Sequence, residues 1–195
     1  MKRKNLTSLK FSAIVLIIIW SVKIFEIVFD YDFTEYGVLP RKFNGLIGVF
    51  FSPLIHSDVN HLLSNSLPVI ILCLLIFNFY SQIAKKILIY LYFISGLWLW
   101  CIGRDSFHIG ASGLIYAMAS FLFFSGILRK NSQLSAVALL VIFIYGGLFW
   151  GLFPIHKNVS GEGHLTGFIA GILVSFICRK DGPKRKKYNW EIEEH

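Results

Sequence analysis

Charged side chains are scarce in this chain. They make up 15% of the 195 residues, whereas 55% of the residues are hydrophobic and the mean hydropathy is +0.64. A soluble domain rarely has this composition, so the sequence predicts a polytopic membrane protein. In a soluble protein the net charge of +8 would indicate a nucleic-acid partner. Here the basic residues lie between apolar runs, so membrane topology explains them better and no nucleic-acid partner is expected.

Cysteines and processing signals are also few. Cys73, Cys101 and Cys178 show no metal-ligand spacing and lie in or beside apolar runs, so we interpret them as small hydrophobic residues without a disulfide framework. No internal repeat is evident. No small-residue cleavage site follows the first apolar run, which we therefore interpret as a transmembrane helix and not as a signal peptide.

Apolar runs organise the rest of the chain. Each is close to, or somewhat shorter than, the roughly 20 residues that span a bilayer. The sequence thus predicts an all-α polytopic bundle of six transmembrane helices over residues 11–178, between an N-terminal segment (1–10) and a basic C-terminal tail (179–195). The six runs are 11–29, 59–80, 86–102, 112–128, 134–152 and 162–178.

Basic residues set the predicted orientation. With six spans both termini lie on one side, and that side holds fourteen of the nineteen Lys and Arg residues. Cytoplasmic loops carry the excess of basic residues, so both termini are expected in the cytoplasm. Outside, the long loop of residues 30–58 contains Pro40 and Pro53, which interrupt any continuous helix. Its apolar segment 43–55 is predicted to form short helical pieces in the membrane interface.

Polar residues inside apolar runs are candidates for function. His61 and Asn65 are four residues apart at the outer end of the second span, and His56 precedes them. Such groups can form hydrogen bonds between helices, or they can stabilise an anion. A metal site is a third possibility, but no carboxylate or third ligand shows a suitable spacing.

Ser112 lies in the sequence GASG at the start of the fourth span. A serine there can be a helix cap or a nucleophile, because a helix start offers free N–H groups to a developing oxyanion. The flanking Gly110 and Gly113 let a substrate backbone approach. Tyr116 follows one turn later on the same face, where it is either an interface tyrosine or a ring that packs on His164.

His164 shares one face of the sixth span with Gly167 and Gly171. This small-residue face predicts a close helix–helix contact, and the fourth span, with Gly113 near its start, is the natural partner. Ser112 and His164 would then meet at similar depth. A packed, hydrogen-bonded histidine without a function is the alternative.

Together the three motifs are far more specific than any one of them. The patterns H-x4-H-x3-N, G-x-S-G-x2-Y and G-H-x2-G-x3-G, in this order and in these spans, resemble the rhomboid family of intramembrane serine proteases. The resemblance covers about residues 11–178. It departs from many rhomboids in the first outside loop, which has YGVLPR in place of a Trp-Arg pair.

The resemblance implies a catalytic dyad without an aspartate or a cofactor. Ser112 would be the nucleophile, His164 the general base and then the general acid, and Tyr116 the ring that stacks on the histidine. His61 and Asn65 would stabilise the oxyanion together with the Ser112 N–H. Gly110 matches the first glycine of the serine motif, and His56 matches an outer histidine with a supporting role.

The implied partners are the lipid bilayer and transmembrane protein substrates. A substrate with helix-breaking residues near the outer face and a small residue before the cleaved bond would enter laterally past the second and fifth spans. The segment 158–163 would be a mobile lid. The alternatives are a catalytically silent client-binding protein, a metalloprotease and a small transporter. A transporter predicts midplane charges, and Lys23 and Glu26 are the clear embedded ones.

Overall fold

Helices account for the regular structure of the chain. The computed structural model describes residues 2–152 and 160–183. Within them there is no β-strand, only an isolated antiparallel bridge between Val38 and His108. The α-helices are α1 (Lys2–Phe29), α2 (Gly48–Phe51), α3 (Val59–Phe79), α4 (Ala84–Ile102), α5 (Ser112–Leu128), α6 (Ser132–Tyr145) and α7 (Gly161–Ile177).

Each of the six long helices overlaps one of the six predicted apolar runs, although α1 begins at Lys2, within the predicted N-terminal segment 1–10. Three stretches, Ser8–Phe29, Val59–Phe79 and Ala84–Ile102, have both the length and the apolarity that a membrane crossing requires. The helices of the other three runs are apolar but have at most 17 residues. The all-α architecture is therefore confirmed, while the count of six spans stays a prediction. The fifth run also differs in form, because α6 ends at Tyr145 and a 3₁₀-helix follows at Gly146–Leu152.

The long loop between α1 and α3 consists of short helical pieces, as predicted. A 3₁₀-helix at Phe43–Ile47, the single turn α2 and a 3₁₀-helix at Ser52–Leu54 follow one another. Val38 in this loop exchanges two backbone hydrogen bonds with His108, of 2.9 and 2.8 Å. These bonds fasten the loop to the segment that leads into α5.

Helix α5 lies at the centre of the bundle. All eight residues from Ile115 to Leu122 are buried, and eight consecutive residues point in every direction around a helix. A helix that is apolar on all sides is stable only where other elements cover each side. Neighbours α3, α4, α6 and α7 surround it, with α7 making the closest contact.

Glycines permit this close contact. A Cβ atom on Gly167 would lie 2.0 Å from the carbonyl oxygen of Gly113, and one on Gly171 would lie 1.8 Å from Ser120 Oγ. The predicted approach of the fourth and sixth spans through these glycines is present in the structure, because only hydrogen atoms separate the two backbones at these points.

Two further expectations concern single segments. Lys23 and Glu26 in α1 pair with each other at 3.0 Å, and Lys23 also donates to the carbonyl oxygens of His56 and Ser57. The predicted lid over 158–163 is wrong for residues 161–163, which form the first turn of α7 with Ser160 as its cap. Residues 158 and 159 lie outside the described residues.

Candidate active site

Ser112 is the first residue of α5, but it does not cap the helix. The N-cap is Ala111, and no side-chain cap bond is present there. Gly110 has φ +105°, a conformation that residues with a Cβ rarely adopt, and its N–H donates to the carbonyl oxygen of Ser52 at 2.8 Å. The sharp turn at Gly110 thus leaves the Ser112 hydroxyl free for another partner.

That partner is His164. The distance between Ser112 Oγ and His164 Nε2 is 3.0 Å, and His164 Nδ1 lies 2.7 Å from the carbonyl oxygen of Gly151. A carbonyl oxygen can only accept, so Nδ1 carries the proton of the neutral ring. Nε2 is then an acceptor, and the Ser112 hydroxyl donates to it. This is the direction of proton transfer that activates a serine.

Tyr116 holds the plane of the His164 ring. The two rings are stacked, with centroids 4.2 Å apart and an interplanar angle of 9°. Tyr116 is only 5% exposed, and its hydroxyl donates to the carbonyl oxygen of Leu148 at 2.7 Å. These contacts place it inside the bundle, packed on His164.

Gly151 was not predicted from the sequence. Its carbonyl oxygen occupies the place that an orienting carboxylate would take, and a Cβ atom on Gly151 would lie 2.0 Å from Tyr116 Oη. Every residue has a carbonyl group, so a backbone acceptor leaves no residue type to search for. The three glycines at 146, 147 and 151 are the one hint in the sequence, and of these only Gly151 is approached closely by other groups.

His61 lies beside the turn that carries Ser112. A Cβ atom on Gly110 would lie 2.7 Å from His61 Cε1 and 2.9 Å from His61 Nε2, so the ring packs on the glycine. His61 Nδ1 is 3.2 Å from Ser57 Oγ, whose hydroxyl also lies 2.8 Å from Asp58 Oδ2. Asp58 Oδ2 can only accept, so the Ser57 hydroxyl donates to it and Ser57 Oγ accepts from His61 Nδ1. For His61 Nε2 to donate to an anion, the ring must take its other tautomer, with the Ser57 hydroxyl turned from Asp58 to Nδ1.

His56 also contacts the turn, and Asn65 is bonded to the backbone of His61. Asn65 is 5% exposed and donates from Nδ2 to the carbonyl oxygen of His61 at 2.8 Å. His56 is 1% exposed, and its Nε2 accepts the N–H of Ala111 at 3.4 Å. Burial, with the neighbouring His61 adding to it, lowers the pKa of His56 to about 4, so the ring is a neutral acceptor at pH 7.

Backbone donors remain available at the turn. The N–H groups of Gly110 and Ala111 are used by Ser52 and His56. Those of Ser112 and Gly113 have no acceptor among the described residues. They belong to the first turn of α5, where the helix dipole also favours a negative charge.

A small cavity adjoins Ser112. It has a volume of about 30 Å³, and Ser52, Ser95, His108 and Ser160 are among its lining residues. A cavity of this size has room for about two water molecules, for which these side chains offer hydrogen-bond partners. In the part of the chain that the structure describes, no three His, Cys, Asp or Glu side chains are grouped so as to hold a metal ion.

Comparison with known proteins agrees with the motifs. The profile of the family described as Rhomboid domain matches residues 44–181. Uncharacterized proteins of Mycobacterium bovis and Mycobacterium tuberculosis are 34% identical over 160 residues, which cover 77% of this chain and 65% of each relative. An uncharacterized Mycobacterium leprae protein is 28% identical over 182 residues, or 87% of this chain and 70% of that protein. The chain thus spans slightly less than two thirds of the first two relatives.

Proposed function

The chain belongs to the rhomboid family, and we propose that it is an intramembrane serine endopeptidase that cleaves transmembrane segments of membrane proteins. In this proposal Ser112 is the nucleophile and His164 is the general base. The observation that carries it is the hydrogen bond of 3.0 Å between Ser112 Oγ and His164 Nε2, with Nδ1 bound to a carbonyl oxygen.

The reaction would proceed in two stages. His164 Nε2 accepts the hydroxyl proton while Ser112 Oγ attacks the carbonyl carbon of the substrate, and His164 then gives that proton to the leaving amine. A water molecule attacks the resulting ester in the same way and releases the acid. The imidazolium that forms after each attack is stabilised by the carbonyl oxygen of Gly151 and by the Tyr116 ring.

The negative oxygen of each tetrahedral intermediate needs hydrogen-bond donors. The N–H of Ser112 has no acceptor among the described residues, the His61 ring packs on Gly110 of the same turn, and Asn65 is bonded to the carbonyl oxygen of His61. We assign these three groups to oxyanion stabilisation, where the loss of one donor typically costs about 100- to 1000-fold in rate. Gly110 and His56 support them by shaping the turn.

Substrate and orientation follow from the same proposal. A membrane-spanning helix hides its carbonyl groups in hydrogen bonds, so cleavage requires a locally unwound segment with helix-breaking residues near the outer face. We propose that the chain lies in a bacterial cytoplasmic membrane with both termini in the cytoplasm. This orientation places the first residues of α5 and α7 towards the outer side. The cavity beside Ser112 would supply water for hydrolysis.

A substrate-independent experiment tests the dyad. Purified protein in detergent is labelled with a fluorescent fluorophosphonate, next to Ser112→Ala and His164→Ala. We expect labelling of the wild type and none of either variant. Ser120→Ala is the matched control, since Ser120 lies in the same helix and its hydroxyl donates to Phe168 O at 2.8 Å, away from His164.

Each other result has a defined meaning. Labelling that persists in Ser112→Ala would identify a different serine. A folded wild type that neither labels nor cleaves a panel of transmembrane substrates in liposomes would contradict the protease and favour the client-binding alternative.

A further inference from the structure

A second hydrogen bond joins the two chain segments that carry Ser112 and His164. His108 Nδ1 lies 2.7 Å from Ser160 Oγ. His108 precedes Ser112 by four residues, and Ser160 precedes His164 by four residues. The two segments are therefore tied twice, once through their polar side chains before the helices begin and once at the candidate dyad.

The second ring nitrogen fixes the direction of the bond. His108 Nε2 lies 3.1 Å from the carbonyl oxygen of Arg104, which can only accept. Nε2 therefore carries the proton of the neutral ring, and the Ser160 hydroxyl donates to Nδ1. His108 is 3% exposed, and burial lowers its pKa, which keeps the ring neutral.

Ser160 passes this constraint to α7. Its Oγ accepts the N–H of Gly163 at 3.1 Å, and its carbonyl oxygen accepts the N–H of His164 at 3.1 Å. Because the hydroxyl proton points to His108, the oxygen lone pairs are directed to Gly163. The position of the first turn of α7, and hence of His164, depends on where His108 holds Ser160.

The backbone of His108, at the other end of this series of hydrogen bonds, is fixed in position. The backbone of His108 is paired with Val38 in both directions, so the ring projects from a fixed base. On the other side of the dyad, Gly113 and Gly167 are in backbone contact. The Ser112–His164 hydrogen bond thus lies between the His108–Ser160 hydrogen bond on one side and the Gly113–Gly167 contact on the other.

We propose that His108 and Ser160 are positioning residues that set the distance between Ser112 and His164. This role rests on the proposed function, because it concerns the reactivity of the same serine. Neither residue touches the substrate in this proposal. Their contribution is to hold the N-termini of α5 and α7 in register.

Three variants of His108 distinguish the effect of the hydrogen bond to Ser160 from the effect of packing. In His108→Asn the side-chain oxygen can take the place of Nδ1 and accept from Ser160. In His108→Gln the side-chain nitrogen can take the place of Nε2 and donate to Arg104, while the tie to Ser160 is lost. His108→Phe fills the space and makes neither bond. Ser160→Ala tests the same bond from the other side, and it carries the test if His108→Phe does not fold.

Two measurements are made on each variant. The rate of fluorophosphonate labelling reports the reactivity of Ser112, and thermal unfolding shows whether the fold is intact. In protein labelled with ¹⁵N-histidine, the chemical shift of His164 Nε2 reports whether it still accepts a hydrogen bond, whether or not the serine reacts.

We expect His108→Gln, His108→Phe and Ser160→Ala to label about tenfold more slowly than the wild type and to shift His164 Nε2. His108→Asn should keep most of the wild-type labelling rate and a wild-type chemical shift of His164 Nε2, although its thermal stability equals that of the other variants. The proposal is overturned if His108→Phe keeps the labelling rate and the His164 Nε2 shift of the wild type. It is also overturned if His108→Asn and His108→Gln have the same labelling rate, or if the labelling rates of the variants simply follow their thermal stabilities. A folded wild type that neither labels nor cleaves the substrate panel contradicts the proposed protease alone, since the chemical shift of His164 Nε2 still decides the positioning role.

Discussion

The rings of Tyr116 and His164 stack in parallel planes, with centroids 4.2 Å apart, although 48 positions of the chain separate them. The stack fixes one face of the imidazole, and the Gly151 carbonyl oxygen fixes its Nδ1. Nε2 is therefore directed at Ser112 without a carboxylate.

The tyrosine ring matters more than its hydroxyl. Tyr116→Phe keeps the stack and loses one hydrogen bond to Leu148. Tyr116→Leu loses the stack, and an aromatic pair contributes about 1 kcal/mol beyond its buried area, or roughly fivefold in rate. We expect the labelling rate to decrease from the wild type to Tyr116→Phe and further to Tyr116→Leu. Equal rates for Phe and Leu would contradict the role of the ring.

A side chain at Gly151 should displace the His164 ring. The Cβ atom of Gly151→Ala would lie 2.0 Å from Tyr116 Oη, so one of the two must move. A misplacement of about 1 Å can cost about 100-fold in rate. Tyr116→Phe removes the clashing atom, so the double variant should label faster than Gly151→Ala alone. Gly146→Ala is the control, because its Cβ meets nothing within 4 Å.

The glycine contact between α5 and α7 should be essential to the fold and the site. In Gly167→Ala the new Cβ would meet the Gly113 carbonyl oxygen at 2.0 Å. Overpacking of this kind costs typically about 1–3 kcal/mol, and the helices can relieve it only by separating. We expect lower stability in detergent and loss of labelling. Gly147→Ala, whose Cβ meets no atom within 4 Å, should change neither.

The Lys23–Glu26 pair can be tested by a double-mutant cycle. Both side chains are largely buried, and Glu26 also accepts the N–H of Phe33 at 3.0 Å. Lys23→Met leaves a buried carboxylate without its cation, which typically costs about 3–5 kcal/mol. Adding Glu26→Gln should recover most of this loss in reversible unfolding. A double variant no more stable than Lys23→Met would show that the pair is not coupled.

Stability should fall at mildly acidic pH because of His56. The folded state keeps the ring neutral down to about pH 4, whereas the unfolded chain binds a proton below about 6.5. A group with a lowered folded-state pKa of this kind removes stability as the pH falls, here between 6.5 and 4, by about 3 kcal/mol in total.

The matched control for this pH effect is His56→Gln, whose amide oxygen can accept from Ala111 but does not titrate. Its stability should fall less steeply between pH 6.5 and 4. If wild type and variant lose stability in parallel, other groups cause the acid sensitivity.

Much of the fold could be predicted because hydropathy acts locally. A run of apolar residues needs a hydrogen-bonded backbone in any apolar environment, so the runs at 11–29 and 59–80 could only become helices. The second run matches α3 to within one residue, whereas α1 begins nine residues before the first run. Gly167 and Gly171 likewise predicted a close helix contact from their spacing alone. The wrong expectation at 161–163 arose because glycines were taken as a mobile loop, whereas the Ser160 cap continues them into α7.

The sequence by itself determined the helices, the order of the motifs and the polar residues available for chemistry, since each of these depends on residue type and spacing along the chain. The tertiary structure decided the proton positions: that Gly151 accepts from His164, that Ser112 is no cap, and that His108 binds Ser160. These contacts join segments 13 to 52 positions apart, and one uses a backbone oxygen that every residue has. Only the tertiary packing of these segments brings such groups within hydrogen-bonding distance.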